Sequence, residues 1–180
     1  MLPISLEVKN KRVVIVGGGV VATRRIQIFL KQEAIVTVIS PSLSEKLQQL
    51  FTESAFTWKN RPFHEGDVEE AFIVIAATNS REVNAYVRLC CSGNQLVNIV
   101  DDPKKSTFHF PATLQKGLLS VAVSTGGASP ILSKKIRDDM AEQFDDDYIK
   151  YIDFVKKARD KIAKMMHSVF YKEDDKWIEE

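Results

Sequence analysis

The chain has 180 residues, 44% hydrophobic and 27% charged, the proportions of a globular protein with room for one α/β domain and a smaller appendage. With 25 Lys+Arg against 24 Asp+Glu, no global field draws it to nucleic acid or anionic lipid. No apolar run is long enough to span a bilayer, and the start, MLPISLEVKNKR, lacks a signal-peptide pattern, so the expected location is cytoplasmic, with no membrane partner.

The run RVVIVG, rich in valine and stopped by glycine, predicts a strand buried on both faces. After Gly19, residues Val21, Ala22, Ile26, Phe29 and Leu30 recur at helical spacing. Between strand and helix stands Gly17-x-Gly19-x-x-Ala22. At a first strand–helix junction this pattern points to dinucleotide binding. Gly17 makes the turn, and Gly19 lets a pyrophosphate approach the amides at the helix start, Val20 and Val21. Ala22 lets helix pack on strand.

AIVTVIS predicts a second strand, and a helix from Ser42, with Ser42 as its cap, would carry Leu43, Leu47, Leu50 and Phe51 on one face. A ribose-binding Asp or Glu is expected at the end of this strand. The sequence offers Ser40, Pro41 and Ser42 instead, so hydroxyls and backbone must hold the ribose, and the motif alone leaves NAD against NADP open. Arg24 and Arg25, on the first helix, read as solvated charges in preference to a clamp for a 2′-phosphate.

FTWKNRPF predicts a weak third strand, AFIVIAATN a strong buried one, SREVNAYVRLCC a helix capped by Ser80, and QLVNIVDDP a further strand stopped by Pro103. Such alternation predicts a parallel, doubly wound sheet. Thr78 and Asn79 fall at the carboxyl end of the strong strand, where a cofactor crevice forms; Asn79 suits either a ribose or nicotinamide contact or a plain strand-to-helix turn. Cys90 and Cys91, the two cysteines, are adjacent and read as reduced thiols.

The fold class expected is a Rossmann-like α/β domain over residues 1–111, a dimerisation region over 112–145 and a helical region over 146–180. GLLSVAVSTGG reads as an isolated strand, which leaves backbone groups unpaired and calls for a partner edge. SPILSKKIRDDMAEQF predicts a helix with Ser129 as cap and Pro130 at its first position. Tyr148, Ile152, Val155, Ile162, Met165 and Met166 form a further helical stripe, and KEDDKWIEE reads as a frayed end.

Four segments, VVIVGGGVVATRR, AATNSREVN, NIVDDPKKSTFHFPA and LLSVAVSTGGASPILSKKIR, resemble in order and spacing the precorrin-2 dehydrogenase family, which includes the amino-terminal part of siroheme synthases. The resemblance runs over about residues 6–137, and the helical tail matches only loosely. It implies NAD-dependent oxidation of precorrin-2 to sirohydrochlorin by a homodimer, with iron insertion as an added activity in some members. The family's acid/base aspartate falls on Asp101, and its V-S-[ST]-G-G serine on Ser124, with Thr125 beside it near the tetrapyrrole.

On the residues themselves, Asp101 and Asp102 end a strand on the crevice side, and a carboxylate there serves either as a turn cap or as a proton acceptor. Adjacent carboxylates on extended chain point apart, so one faces the ligand; the resemblance selects Asp101. His109 is a structural donor or a second candidate for proton transfer. Lys104 and Lys105, and the helix start after Ser124, offer positive potential to the substrate's carboxylates; Lys134, Lys135 and Arg137 sit on a helix where charges are usually solvated. No His or Cys pair has metal-ligand spacing, so no metal site is expected. Two rival readings remain at this level: a ferrochelatase with an accessory cofactor site, and a dinucleotide-sensing module without chemistry.

Overall fold

The computed structural model describes residues 2–53 and 55–170, and divides into two compact units, residues 2–109 and the part from Phe110 onward. KEDDKWIEE lies outside the described residues.

The first unit alternates strand and helix: β1 (Arg12–Val16), α1 (Val20–Lys31), β2 (Ile35–Ile39), α2 (Glu45–Thr52), β3 (Thr57–Lys59), β4 (Ile73–Ala76), α3 (Arg81–Cys90) and β5 (Leu96–Ile99). The strands form one parallel sheet in the order β3-β2-β1-β4-β5. Val14 and Val16 join Val74, Ala76, Val97, Ile99 and Val87 of α3 in one buried cluster. Val13 and Ile15 point the other way, and α1, packed on β1 and β2, buries Ala22, Ile26 and Phe29. Apolar side chains on both faces of β1 and β4 explain why these strands read as unbroken hydrophobic runs.

Both sheet edges are managed. Along β5, residues 106–108 replace a neighbouring strand: Val97 N–H donates to Thr107 Oγ1 at 2.8 Å, Ile99 N–H to Ser106 Oγ at 2.8 Å, and Thr107 N–H to Val97 O at 2.8 Å. At the other edge, β3 is only three residues long.

The second helix starts later than its sequence suggests. The residue before it is Ser44, and Ser42 lies in a loop pressed against the glycine turn. Ser44 N–H donates to Gly18 O at 2.8 Å, and its hydroxyl meets Thr23 Oγ1 at 3.1 Å. Those bonds use residues 40–44 as a brace, so α2 begins only at Glu45.

The second unit contains β6 (Ala112–Lys116), β7 (Leu119–Val123), α4 (Pro130–Gln143) and α5 (Asp146–Phe170). The segment LLSVAVS is not isolated: β7 pairs antiparallel with β6, in a register from Ala112↔Val123 to Lys116↔Leu119. Gly117, at φ +55°, opens the two-residue hairpin loop, a position that favours glycine. α4 packs on both strands. Ser129 Oγ accepts the Leu132 N–H at 3.1 Å and Pro130 takes the first turn. At the other end, Lys116 Nζ donates to the carbonyls of Ala141 (2.9 Å) and Phe144 (2.6 Å), placing a cation on the negative end of the helix. Among the described residues, no helix is long and apolar enough to cross a membrane.

Candidate active site

β1 has β2 on one side and β4 on the other, so the connections leaving β1 and β4 diverge and open a crevice at the carboxyl ends of the strands. The three glycines sit there for three different reasons. Gly17 has φ +120°, and a Cβ on it would strike the carbonyl oxygen of Ala77 just after β4. A Cβ on Gly18 would strike the Ser42 carbonyl oxygen. Gly19 is unconstrained: its φ is −87°, and a Cβ would meet nothing within 4 Å. The chain's own packing therefore accounts for Gly17 and Gly18 but not for Gly19. An open approach to backbone at the start of a helix suits a ligand that must lie against it.

Gly19 caps α1 without a side chain, and the first turn carries no acidic residue. The first amides, including Val20 and Val21, lack intrahelical acceptors, and the helix dipole adds positive potential. Both valines are exposed.

A cavity of about 520 Å³ opens beside this turn. Its wall brings together Gly17, Gly19, Ser40, Pro41, Ser42, Thr78 and Asn79 from three strand ends; Val20 and Val21 stand just outside that lining. Ser40 is buried and its hydroxyl donates to Ser42 O at 2.7 Å, while its carbonyl accepts from Trp58 Nε1 at 2.9 Å. It shapes the loop more than it offers a donor. Phe63 and Tyr86 also line the cavity, in an edge-to-face pair with centroids 5.9 Å apart. No local motif announces either ring, because they come from a loop and a helix face distant in sequence.

The two aspartates after β5 have separate duties. Asp102 is the cap: its Oδ1 accepts the Lys104 N–H at 3.2 Å, and its Oδ2 pairs with Lys105 Nζ at 3.6 Å. Asp101 is exposed, and its Oδ1 accepts a hydrogen bond from Asn84 Nδ2 at 2.9 Å. Asn84 is 1% exposed, and its Oδ1 accepts from Thr78 N–H at 3.1 Å. A chain of hydrogen bonds thus links Asp101 to Thr78 in the cavity wall. Asn84 was not singled out from sequence, although it closes the AATNSREVN segment; a further signal is an amide side chain between Val83 and Val87 on the inward face of a helix.

Lys104 is exposed on the 3₁₀ turn after Asp102, and His109 is half-buried just beyond the segment that covers β5. Ser124 and Thr125 belong to the second unit. The Thr125 hydroxyl is engaged at the start of α4, accepting from Ser129 N–H at 3.0 Å and meeting Ser133 Oγ at 3.1 Å. Ser124 is exposed, its Oγ accepting from Gly126 N–H at 3.3 Å. Burial pushes the Cys91 thiol up to about 11, so it is a poor nucleophile at neutral pH.

Beyond the cavity, Asp67 ties down the cations near the end of β2. Arg61 donates to both its carboxylate oxygens, at 2.6 and 2.7 Å, and Lys59 Nζ lies 2.9 Å away. Burial opposes ionisation of Asp67, but hydrogen bonds from Arg61, Lys59 and the His64 N–H outweigh it and hold the carboxyl well below the usual range.

A family model described as "Putative NAD(P)-binding" matches residues 4–112, and one described as "Sirohaem biosynthesis protein central" matches residues 116–143. The chain is 35% identical to a precorrin-2 dehydrogenase of Priestia megaterium, over 88% of this chain and 79% of that protein. It is 32% identical to a precorrin-2 dehydrogenase of Bacillus subtilis, over 89% of this chain and 99% of that protein. A solved structure titled "SirC, precorrin-2 dehydrogenase" superposes with a TM-score of 0.79 at 34% identity, covering 88% of this chain and 79% of that one. A match of that extent, at that identity, over both units shows common descent: the chain belongs to the precorrin-2 dehydrogenase family.

Proposed function

We propose that this chain oxidises precorrin-2 to sirohydrochlorin and that NAD takes the hydride. The observation that carries the reading is the open face of Gly19, unexplained by internal packing, at the crevice of a chain in this family. When bound, the dinucleotide supplies the hydride acceptor. The chain's own residues do the rest. The Gly17–Gly19 turn and the amides of Val20 and Val21 hold the pyrophosphate; Ser40, Pro41 and Ser42 shape the ribose site; Thr78 and Asn79 border the reacting half. Asp101, with one oxygen engaged by Asn84, takes the proton that must leave with the hydride. Lys104, His109, Ser124 and Thr125 are assigned to the tetrapyrrole on the strength of the motifs they occupy.

NAD is favoured over NADP by charge. Lys59, which lies opposite Ile39 at the end of β2, and Arg61 just after it are both committed to Asp67, so neither is free to serve a 2′-phosphate. The homodimer reading rests on the second unit: an open two-stranded ribbon, and α5 with Tyr151, Phe154, Ile162 and Met165 each more than half exposed. Two free thiols suit a reducing, cytoplasmic compartment.

The test is to follow NADH formation and iron insertion in parallel with the same tetrapyrrole, under anaerobic conditions. The reading expects NADH with NAD and much less reduction of NADP. Iron insertion without any dinucleotide reduction would replace it with a chelatase.

A further inference from the structure

We propose that Asn84 is a positioning residue that aims Asp101 and ties it to the cofactor wall. This rests on the reading of Asp101 as the proton acceptor and extends it to a residue given no role above.

The orientation of the Asn84 amide is fixed by its neighbours. The Thr78 backbone N–H can only donate, so the Asn84 atom 3.1 Å from it is the carbonyl oxygen. The Thr78 hydroxyl also lies 2.8 Å from that oxygen. The NH₂ group must then face the other way, and its two hydrogens go to Thr78 O at 3.2 Å and Asp101 Oδ1 at 2.9 Å. Flipping the amide would set NH₂ against N–H and carbonyl oxygen against carboxylate. Every polar atom of this buried side chain is used.

Three consequences follow for Asp101. Among the described residues, no other group hydrogen-bonds its carboxylate, so Asn84 alone sets its direction. One oxygen is occupied and the other is left for a substrate proton. Asp101 is also coupled to Thr78, so the acceptor and the crevice wall hold one geometry. An exposed carboxylate would otherwise sample several rotamers, and a small misplacement of a reacting group lowers the rate steeply.

A double-mutant cycle on kcat separates positioning from a merely structural role. The four proteins are wild type, Asn84→Ala, Asp101→Asn and the double variant, each assayed for kcat, KM and thermal unfolding. Should Asn84→Ala fail to fold, Asn84→Ser replaces it, a small polar side chain that sets no charge against Asp101. If Asn84 acts through Asp101, its substitution lowers kcat by tenfold or more in the wild-type background and changes it little once Asp101 is Asn. Losses that multiply in the double variant would show that Asn84 acts independently, and would overturn the inference. So would wild-type kcat in the Asn84 variant while Asp101→Asn is impaired; the role of Asp101 would then stand alone. Full activity in Asp101→Asn would overturn both.

Discussion

Asp102 accepts the Lys104 N–H at 3.2 Å, so the capping of the turn after β5 falls to Asp102 and not to Asp101. Two adjacent carboxylates that look equivalent in sequence are thereby given different environments. Asp101→Asn should lower turnover by about 10²–10⁴-fold, the usual worth of positioned acid–base catalysis, with melting temperature and NAD affinity nearly unchanged. Asp102→Asn should keep near-normal turnover, because Asn caps as well as Asp. Steady-state kinetics on both variants checks the pair.

The glycines give a second contrast. Gly19→Asp places a side chain where the protein itself has empty space and an ordinary φ, so the fold should survive while NAD binding is lost in a calorimetric titration. Gly17→Ala meets the Ala77 carbonyl at φ +120° and should destabilise the fold by more than about 1 kcal/mol. Equal losses of stability in the two variants would remove the distinction.

The sequence carried the first unit almost whole because its signals are local. Buried parallel strands make unbroken apolar runs, and Ser80 and Ser129 cap their helices as expected, accepting from Val83 and Leu132. Misreadings came where tertiary contacts outbid local pattern. Ser44 stands at the α2 start because Ser42 is needed against Gly18. The strand β6 went unread because ATLQK alternates weakly, with Gln and Lys in it, although Gly117 marks the hairpin. Asn84, Phe63 and Tyr86 are legible only once residues distant in the chain are neighbours.

Acid stability should depend on Asp67. Its folded pKa is depressed below the ordinary 3.8, so its contribution is fully present above that value and is lost as pH falls toward the folded pKa. Asp67→Asn should cost about 1–3 kcal/mol near neutrality, and the gap from wild type should narrow below about pH 4. Denaturant titrations at several pH values measure it.

Pairing of β6 with β7 removes the unpaired strand as an argument for association, but leaves two open ribbon edges and the exposed apolar residues of α5. Sedimentation should show a dimer at micromolar concentration. Replacing Phe154 and Ile162, 67% and 58% exposed, with Lys should shift it toward monomer. A wild-type monomer would refute the assignment.

The central claim is tested most directly by single-turnover stoichiometry. Precorrin-2 is mixed anaerobically with excess enzyme and NAD, and sirohydrochlorin and NADH are counted together. Loss of one hydride and one proton per molecule predicts equal amounts of the two products. Sirohydrochlorin formed without NADH, or at the same rate when dinucleotide is left out, would contradict the account.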